Sequence, residues 1–192
     1  MKQIWLVRHA QSKSQTGEDT DVLNPELSQV GKVQAKRLIE PLKGLKIDYV
    51  LISPFKRAWQ TYKLSQVQAK KVEFDSRLIE SDWGIPNYYQ PILPLATPDI
   101  AMPDGNDAFF KPVEVRATEL LTYLLAQEEE KFMLFGHWGI FSHLLLAFVD
   151  LAHSQTVEAT MDNAAISFLE VDDDQNRYIR YWNYRAHVAD LL

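Results

Sequence analysis

The stretch Gln3-Ile4-Trp5-Leu6-Val7-Arg8-His9-Ala10-Gln11-Ser12-Lys13-Ser14 decides how the chain is read. Its first half is a short apolar run of β-type residues, as expected for a strand covered on both faces. The run stops at a cation and an imidazole, then passes into small and hydroxylated residues. In an open parallel sheet, ligands gather beyond the carboxyl ends of the strands, so Arg8 and His9 stand where chemistry is expected.

Two further segments repeat the pattern. Val50-Leu51-Ile52 is followed by Ser53 and, one helical turn on, by Arg57; Met133-Leu134-Phe135 is followed by Gly136-His137. If three strands carry these ends to one place, two guanidiniums and two imidazoles with helix N-termini behind them describe a phosphate pocket. Between the strands the chain alternates with helix-like segments, which predicts an α/β architecture with parallel strands. From Pro25, "PELSQVGKVQAKRLIEPL" places Val30, Val33, Leu38 and Leu42 at mostly helical spacing, with Asn24 as its expected cap and Gly44 beyond its end. Ser53-Pro54 is expected to open the next helix. "KVEFDSRL" reads as a short strand, "PVEVRATELLTYLLAQEEE" as a helix, "KFMLFG" as a strand and "GIFSHLLLAFVDLA" as a helix. The end, "AAISFLEVDDDQNRYIRYWNY", reads as a hairpin turning at Asp172 to Asn176.

Composition bounds the rest. A chain of 192 residues suits a single domain spanning 1–192, able to bury roughly 70% of the surface of its unfolded form. Residues 82–112 differ from their surroundings, being rich in proline and aromatics, and are expected to form a lid-like insertion within that domain. With a net charge of −6 and no basic cluster longer than a pair, the chain lacks the footprint of a nucleic-acid binder. The absence of cysteine excludes disulfides and thiolate chemistry. Since no run approaches the roughly 20 apolar residues of a membrane span, no membrane partner is expected, and a cytoplasmic location is.

"LVRHAQS", "LSQVGKVQA", "YVLISPFKRAWQT", "RLIESDWG" and "MLFGHWG" occur in order along nearly the whole chain. Together they resemble the histidine phosphatase superfamily, the phosphoglycerate-mutase-like fold, in its phosphatase branch. That resemblance implies a three-layer α/β/α sandwich with a mostly parallel central sheet. It makes His9 the nucleophile that becomes phosphorylated, with Arg8, Arg57 and His137 binding phosphoryl oxygens and Glu80 as acid/base. Asp82 competes for the last role, but the setting of Glu80 near Trp83 is expected to be apolar enough for a carboxyl group that holds a proton. Ser12, Gln15 and the backbone N–H of Trp138 are further candidate phosphate ligands. No cofactor or metal is implied, and neither clustered carboxylates nor paired histidines occur at metal-site spacing. Three positions depart from the family pattern: Ala10 for a glycine, Gln15 for an asparagine, and Trp138 for a small residue.

His143, His153 and His187 are read as structural histidines. Between Leu78 and Phe110 there is no Lys or Arg, and "TGEDTD" after the first motif is acidic. Both features favour a small phosphate monoester with an uncharged leaving group over a substrate carrying a second acid. The expected activity is therefore phosphomonoester hydrolysis. The alternatives are a phosphoglycerate mutase, a phosphohistidine or phosphotyrosine protein phosphatase, or a non-catalytic phosphate-binding module; a homodimer is compatible with any of them.

Overall fold

A computed structural model of the chain describes residues 1–19, 24–80, 111–151 and 159–191. Most of the expected insertion, together with Asp82, Trp83 and His153, lies outside the described residues. In chain order the elements are β1 (Lys2–Arg8), α1 (Lys13–Thr16), α2 (Gln29–Arg37), α3 (Ile39–Leu42), β2 (Ile47–Ile52), α4 (Lys56–Ser65) and β3 (Ala69–Phe74). A 3₁₀ turn (Ser76–Leu78) is next, then α5 (Val113–Ala126), β4 (Lys131–Gly136), α6 (Trp138–Phe148), β5 (Ile166–Val171), β6 (Arg177–Tyr184) and a second 3₁₀ segment (Ala186–Leu191).

The strands form one sheet in the order β3-β2-β4-β1-β5-β6. β3, β2, β4 and β1 run parallel, while β5 and β6 join antiparallel as the expected hairpin. Because side chains alternate along a strand, each central strand feeds two cores. Ile4, Leu6, Tyr49, Leu51, Phe132 and Leu134 meet α5 and α6 on one face. Trp5, Val7, Val50, Ile52, Met133 and Phe135 pack on the other with residues of α2 and α4. This is the three-layer α/β/α arrangement expected from the sequence, with a mostly parallel sheet.

Three local expectations are corrected. Val30 and Val33 do not face the core; they are 40% and 44% exposed, and α2 turns Gly31, Gln34 and Ala35 inward instead. Leaving two valines at this exposure forgoes roughly 1 kcal/mol each, so something else fixes the phase. It is the loop after β1: Gln11 N–H donates to Gln34 Oε1 at 2.9 Å, and Ser28 N–H donates to the Gln11 carbonyl at 3.0 Å. A Cβ at Gly31 would lie 1.9 Å from the Gln11 carbonyl oxygen, so only glycine permits this approach. Ser28, not Asn24, caps α2 by accepting from Gly31 N–H at 3.0 Å. Asn24 Oδ1 instead accepts from Lys56 N–H at 2.7 Å, serving the start of α4 from a distant loop. That helix begins at Lys56 and not at Ser53-Pro54.

Candidate active site

Register alone sets the two imidazoles side by side. β1 and β4 are adjacent and parallel with Arg8 opposite Gly136, and His9 N–H donates to the Gly136 carbonyl at 2.9 Å. The next residues, His9 and His137, therefore leave the sheet as neighbours, their ring centroids 5.0 Å apart. On the other side of β4, β2 ends at Ile52 opposite Phe135, and Ser53 N–H donates to the Phe135 carbonyl at 2.8 Å. Three adjacent strands thus deliver His9, His137 and Ser53 to one edge.

His9 is buried, with Nδ1 2.8 Å from the Ala10 carbonyl oxygen. A carbonyl can only accept, so Nδ1 carries the proton and Nε2 keeps its lone pair. Burial pushes the His9 imidazolium well below its usual range, and Arg57 and Arg8 push it the same way. The ring is therefore neutral at neutral pH. His137, fully buried, is depressed by burial first and then by Arg57, His9 and Arg8. Its Nε2 lies 2.8 Å from Ser53 Oγ, while Nδ1 is buried with no protein partner among the described residues. A Ser53 hydroxyl that donates to Nε2 leaves the ring proton on Nδ1, a donor without a partner among the described residues.

The guanidiniums come from different layers. Arg57 lies in the first turn of α4, nearly buried, with its Cζ 4.8 Å from the centre of the Phe55 ring. Thr61, one turn on, links it to the nucleophile loop, accepting from Ala10 N–H at 3.0 Å and donating to the Arg57 carbonyl at 2.6 Å. Arg8 donates through Nη1 to the Met161 carbonyl, and its Nε is buried without a partner among the described residues. Burial weakens the Arg8 cation, opposed by the charges of Glu80 and Asp162.

Half-buried Glu80 reaches the same edge along the chain that follows β3, and its Oε1 accepts from Gly139 N–H at 2.9 Å in the first turn of α6. The structure so brings together Arg8, His9, Arg57, Glu80 and His137. Trp138 opens α6, one residue before the helix read from Gly139, while its indole N–H is spent on the Ala159 carbonyl at 3.1 Å. Ser12 and Gln15 sit at the rim and serve each other: Gln15 Oε1 accepts from Ser12 N–H at 3.0 Å, closing a capping box on α1. Among the described residues, no group of three or more His, Asp or Glu could hold a metal ion.

Sequence reasoning missed the turn that holds His9 from behind. The His9 carbonyl accepts from Asn163 Nδ2 at 3.1 Å and from Ala164 N–H at 3.2 Å. Ala164 takes a left-handed conformation, φ 57°, which costs a non-glycine residue on the order of 1 kcal/mol. His187 supports that turn, its Nε2 lying 2.9 Å from the Ala164 carbonyl, in keeping with a structural reading of that histidine. Asn163 also pairs with the Gln15 amide at 3.2 Å, so the rim residue that departs from the family pattern is tied to the nucleophile loop.

The family profile of the histidine phosphatase superfamily (branch 1) matches residues 4–184. The chain belongs to this superfamily. Histidine phosphatases of known name resemble it along its length: a Hydrogenobacter thermophilus protein provisionally named phosphoserine phosphatase 2 is 23% identical over 203 residues, covering 100% of both chains. Phosphoserine phosphatase 1 of the same organism is 39% identical over 88 residues, 44% of this chain and 41% of that one. Among solved structures, a phosphoserine phosphatase from Entamoeba histolytica in complex with 3-phosphoglyceric acid superposes with a TM-score of 0.71 at 17% identity, covering 98% of this chain and 100% of that one. This histidine phosphatase is accordingly a phosphatase enzyme with the phosphoglycerate-mutase-like fold. No helix among its described residues is long and apolar enough to cross a membrane.

Proposed function

We propose that the chain is a phosphomonoesterase that hydrolyses a small phosphate monoester through a phosphohistidine on His9. The observation that carries this reading is the state of His9: buried, neutral, its Nδ1 proton directed at the Ala10 carbonyl, its Nε2 left as a nucleophile between two arginines. In the first half-reaction the Nε2 lone pair forms the N–P bond. The bond from phosphorus to the ester oxygen breaks with its electron pair on oxygen, and Glu80 gives that oxygen a proton to release the alcohol. The ring gains positive charge, which the Ala10 carbonyl stabilises. In the second half-reaction ionised Glu80 takes a proton from water as the water oxygen bonds to phosphorus, and the N–P electron pair returns to His9.

Arg8 and Arg57 stay charged throughout and offer forked donors to the phosphoryl oxygens, as His137 Nδ1–H and the Trp138 N–H can. No step requires a metal. The relatives named for phosphoserine make it one ester to try beside esters of uncharged alcohols: serine brings a carboxylate, whereas the neutral amides of Gln15 and Asn163 suit a leaving group without a second acid. The deciding experiment is hydrolysis of p-nitrophenyl phosphate in excess chelator by wild type and His9→Ala. Turnover lost in the variant, with an acid-labile phosphoenzyme in wild type, is the expected result. Chelator-resistant turnover that survives His9→Ala would refute the mechanism.

A further inference from the structure

Arg116 is the largest fully buried side chain among the described residues, and it lies on α5, outside the cluster at the strand ends. A guanidinium is removed from water at a cost that only well-placed acceptors offset. Its acceptors among the described residues include four main-chain carbonyls. Nη1 donates to Arg77 at 3.1 Å and Ile79 at 2.7 Å, Nη2 to Glu80 at 3.1 Å, and Nε to Lys111 at 3.2 Å. Three of these carbonyls, those of Arg77, Ile79 and Glu80, belong to the segment that ends in Glu80. One planar fork therefore grips that segment, and the near side is fixed again by Asp75, which accepts twice from Arg77 Nε, at 2.9 and 3.2 Å. Glu80 is consequently held at both ends, by its carbonyl on Arg116 and by its carboxyl on Gly139 N–H.

We propose that Arg116 is a positioning residue for acid catalysis: by gripping the carbonyls of Arg77, Ile79 and Glu80, it fixes the reach of the Glu80 carboxyl toward the leaving oxygen. This rests on Glu80 being the acid/base. Arginine is required because no other side chain presents several donors in one rigid plane. A misplacement of about 1 Å in such a group costs up to about 10²-fold in rate, and the loss falls on the step that needs the proton. Leaving groups that depart easily need it least.

The test measures kcat/KM, which isolates transfer to His9, over aryl phosphates from p-nitrophenyl to phenyl phosphate. Glu80→Gln, Arg116→Met, Arg116→Lys and the double variant Glu80→Gln/Arg116→Met are compared with wild type, alongside their melting curves. Arg116→Met is expected to slow phenyl phosphate about tenfold more than p-nitrophenyl phosphate. Arg116→Lys is expected to show a smaller change of the same kind. In the Glu80→Gln background, Arg116→Met should add no further leaving-group dependence. An equal loss for every ester, or the same extra steepening in that background, would overturn the proposal while leaving Glu80 in place. If Glu80→Gln itself leaves the dependence unchanged, the assignment of Glu80 fails and the proposal with it. Should Arg116→Met not fold, Arg116→Lys decides: a steeper dependence supports the proposal, and a uniform loss or no change overturns it.

Discussion

The two buried histidines make the fold sensitive to mild acid, and the size of the effect follows from their surroundings. His9 is 4% exposed and His137 fully buried, and both resist protonation in the folded protein because of burial and the neighbouring arginines. In the unfolded chain each titrates near the ordinary value of 6.5. Below that value the unfolded state binds more protons than the folded one, so stability rises with pH across the interval and is lost as pH falls from 6.5 toward the depressed folded values. One unit below the unfolded value, each histidine that stays neutral when folded costs about 1.4 kcal/mol, so the pair costs about 2.8 kcal/mol. Urea unfolding at about pH 7.5 and about pH 5.5, in phosphate-free buffer, reads this directly. His9→Asn/His137→Asn should lose about 2.5–3 kcal/mol less over that interval than wild type. Surface carboxylates and His187 titrate alike in both proteins and cancel in the difference. Equal pH slopes for the two proteins would show that these rings are not held neutral, and would remove the basis for His9 as a resting nucleophile.

Glu80→Gln should slow turnover by roughly 10²- to 10⁴-fold while leaving His9 able to take label from p-nitrophenyl phosphate, and unchanged turnover would move the acid/base role to Asp82 or elsewhere. Arg57→Lys retains the charge and loses the fork, so kcat/KM should fall by about 10²- to 10³-fold; wild-type kinetics would take Arg57 out of the site. Gly31→Ala places a methyl group against the Gln11 carbonyl, and urea titration should show a loss of about 1–3 kcal/mol or more, whereas a neutral result would mean that α2 can retreat from the loop.

What can be read in the letters divides along a physical line. β4 is legible over Lys131–Gly136, and β1 almost as well, because a strand covered on both faces is a continuous apolar run whose end is marked by the first polar residue. Arg8, His9 and His137 are legible as a cluster because they stand at the ends of apolar strands, and Arg57 because it lies in the first turn of the helix after β2. The phase of α2 is misleading because the valines carry the period, while the helix turns Gly31 and Gln34 to the loop after β1 and Ala35 to the apolar core. Asn24 offers a plausible cap to the helix beside it in sequence and serves the one beside it in space.

The residues that hold the site share a further property. Asn163 and Ala164 bind the His9 carbonyl from 154 and 155 positions away, and Arg116 binds the carbonyls leading to Glu80. Their partners are main-chain groups, which every residue carries, so nothing on the partner's side of the contact is written in the sequence. The trace that remains is a misfit on the holder's own element. Along α5 the buried positions are Val113, Arg116, Ala117, Leu120, Leu121 and Leu124, and the arginine stands in the apolar phase. Gln34 does the same on the inner face of α2. Burying either side chain without acceptors would cost more than the helix gains from any one aliphatic contact. A long polar residue in the apolar phase of a helix can thus signal, in the letters themselves, that a stretch of main chain elsewhere is being held, and Arg116 and Gln34 both hold segments that border the edge where His9 and Glu80 meet.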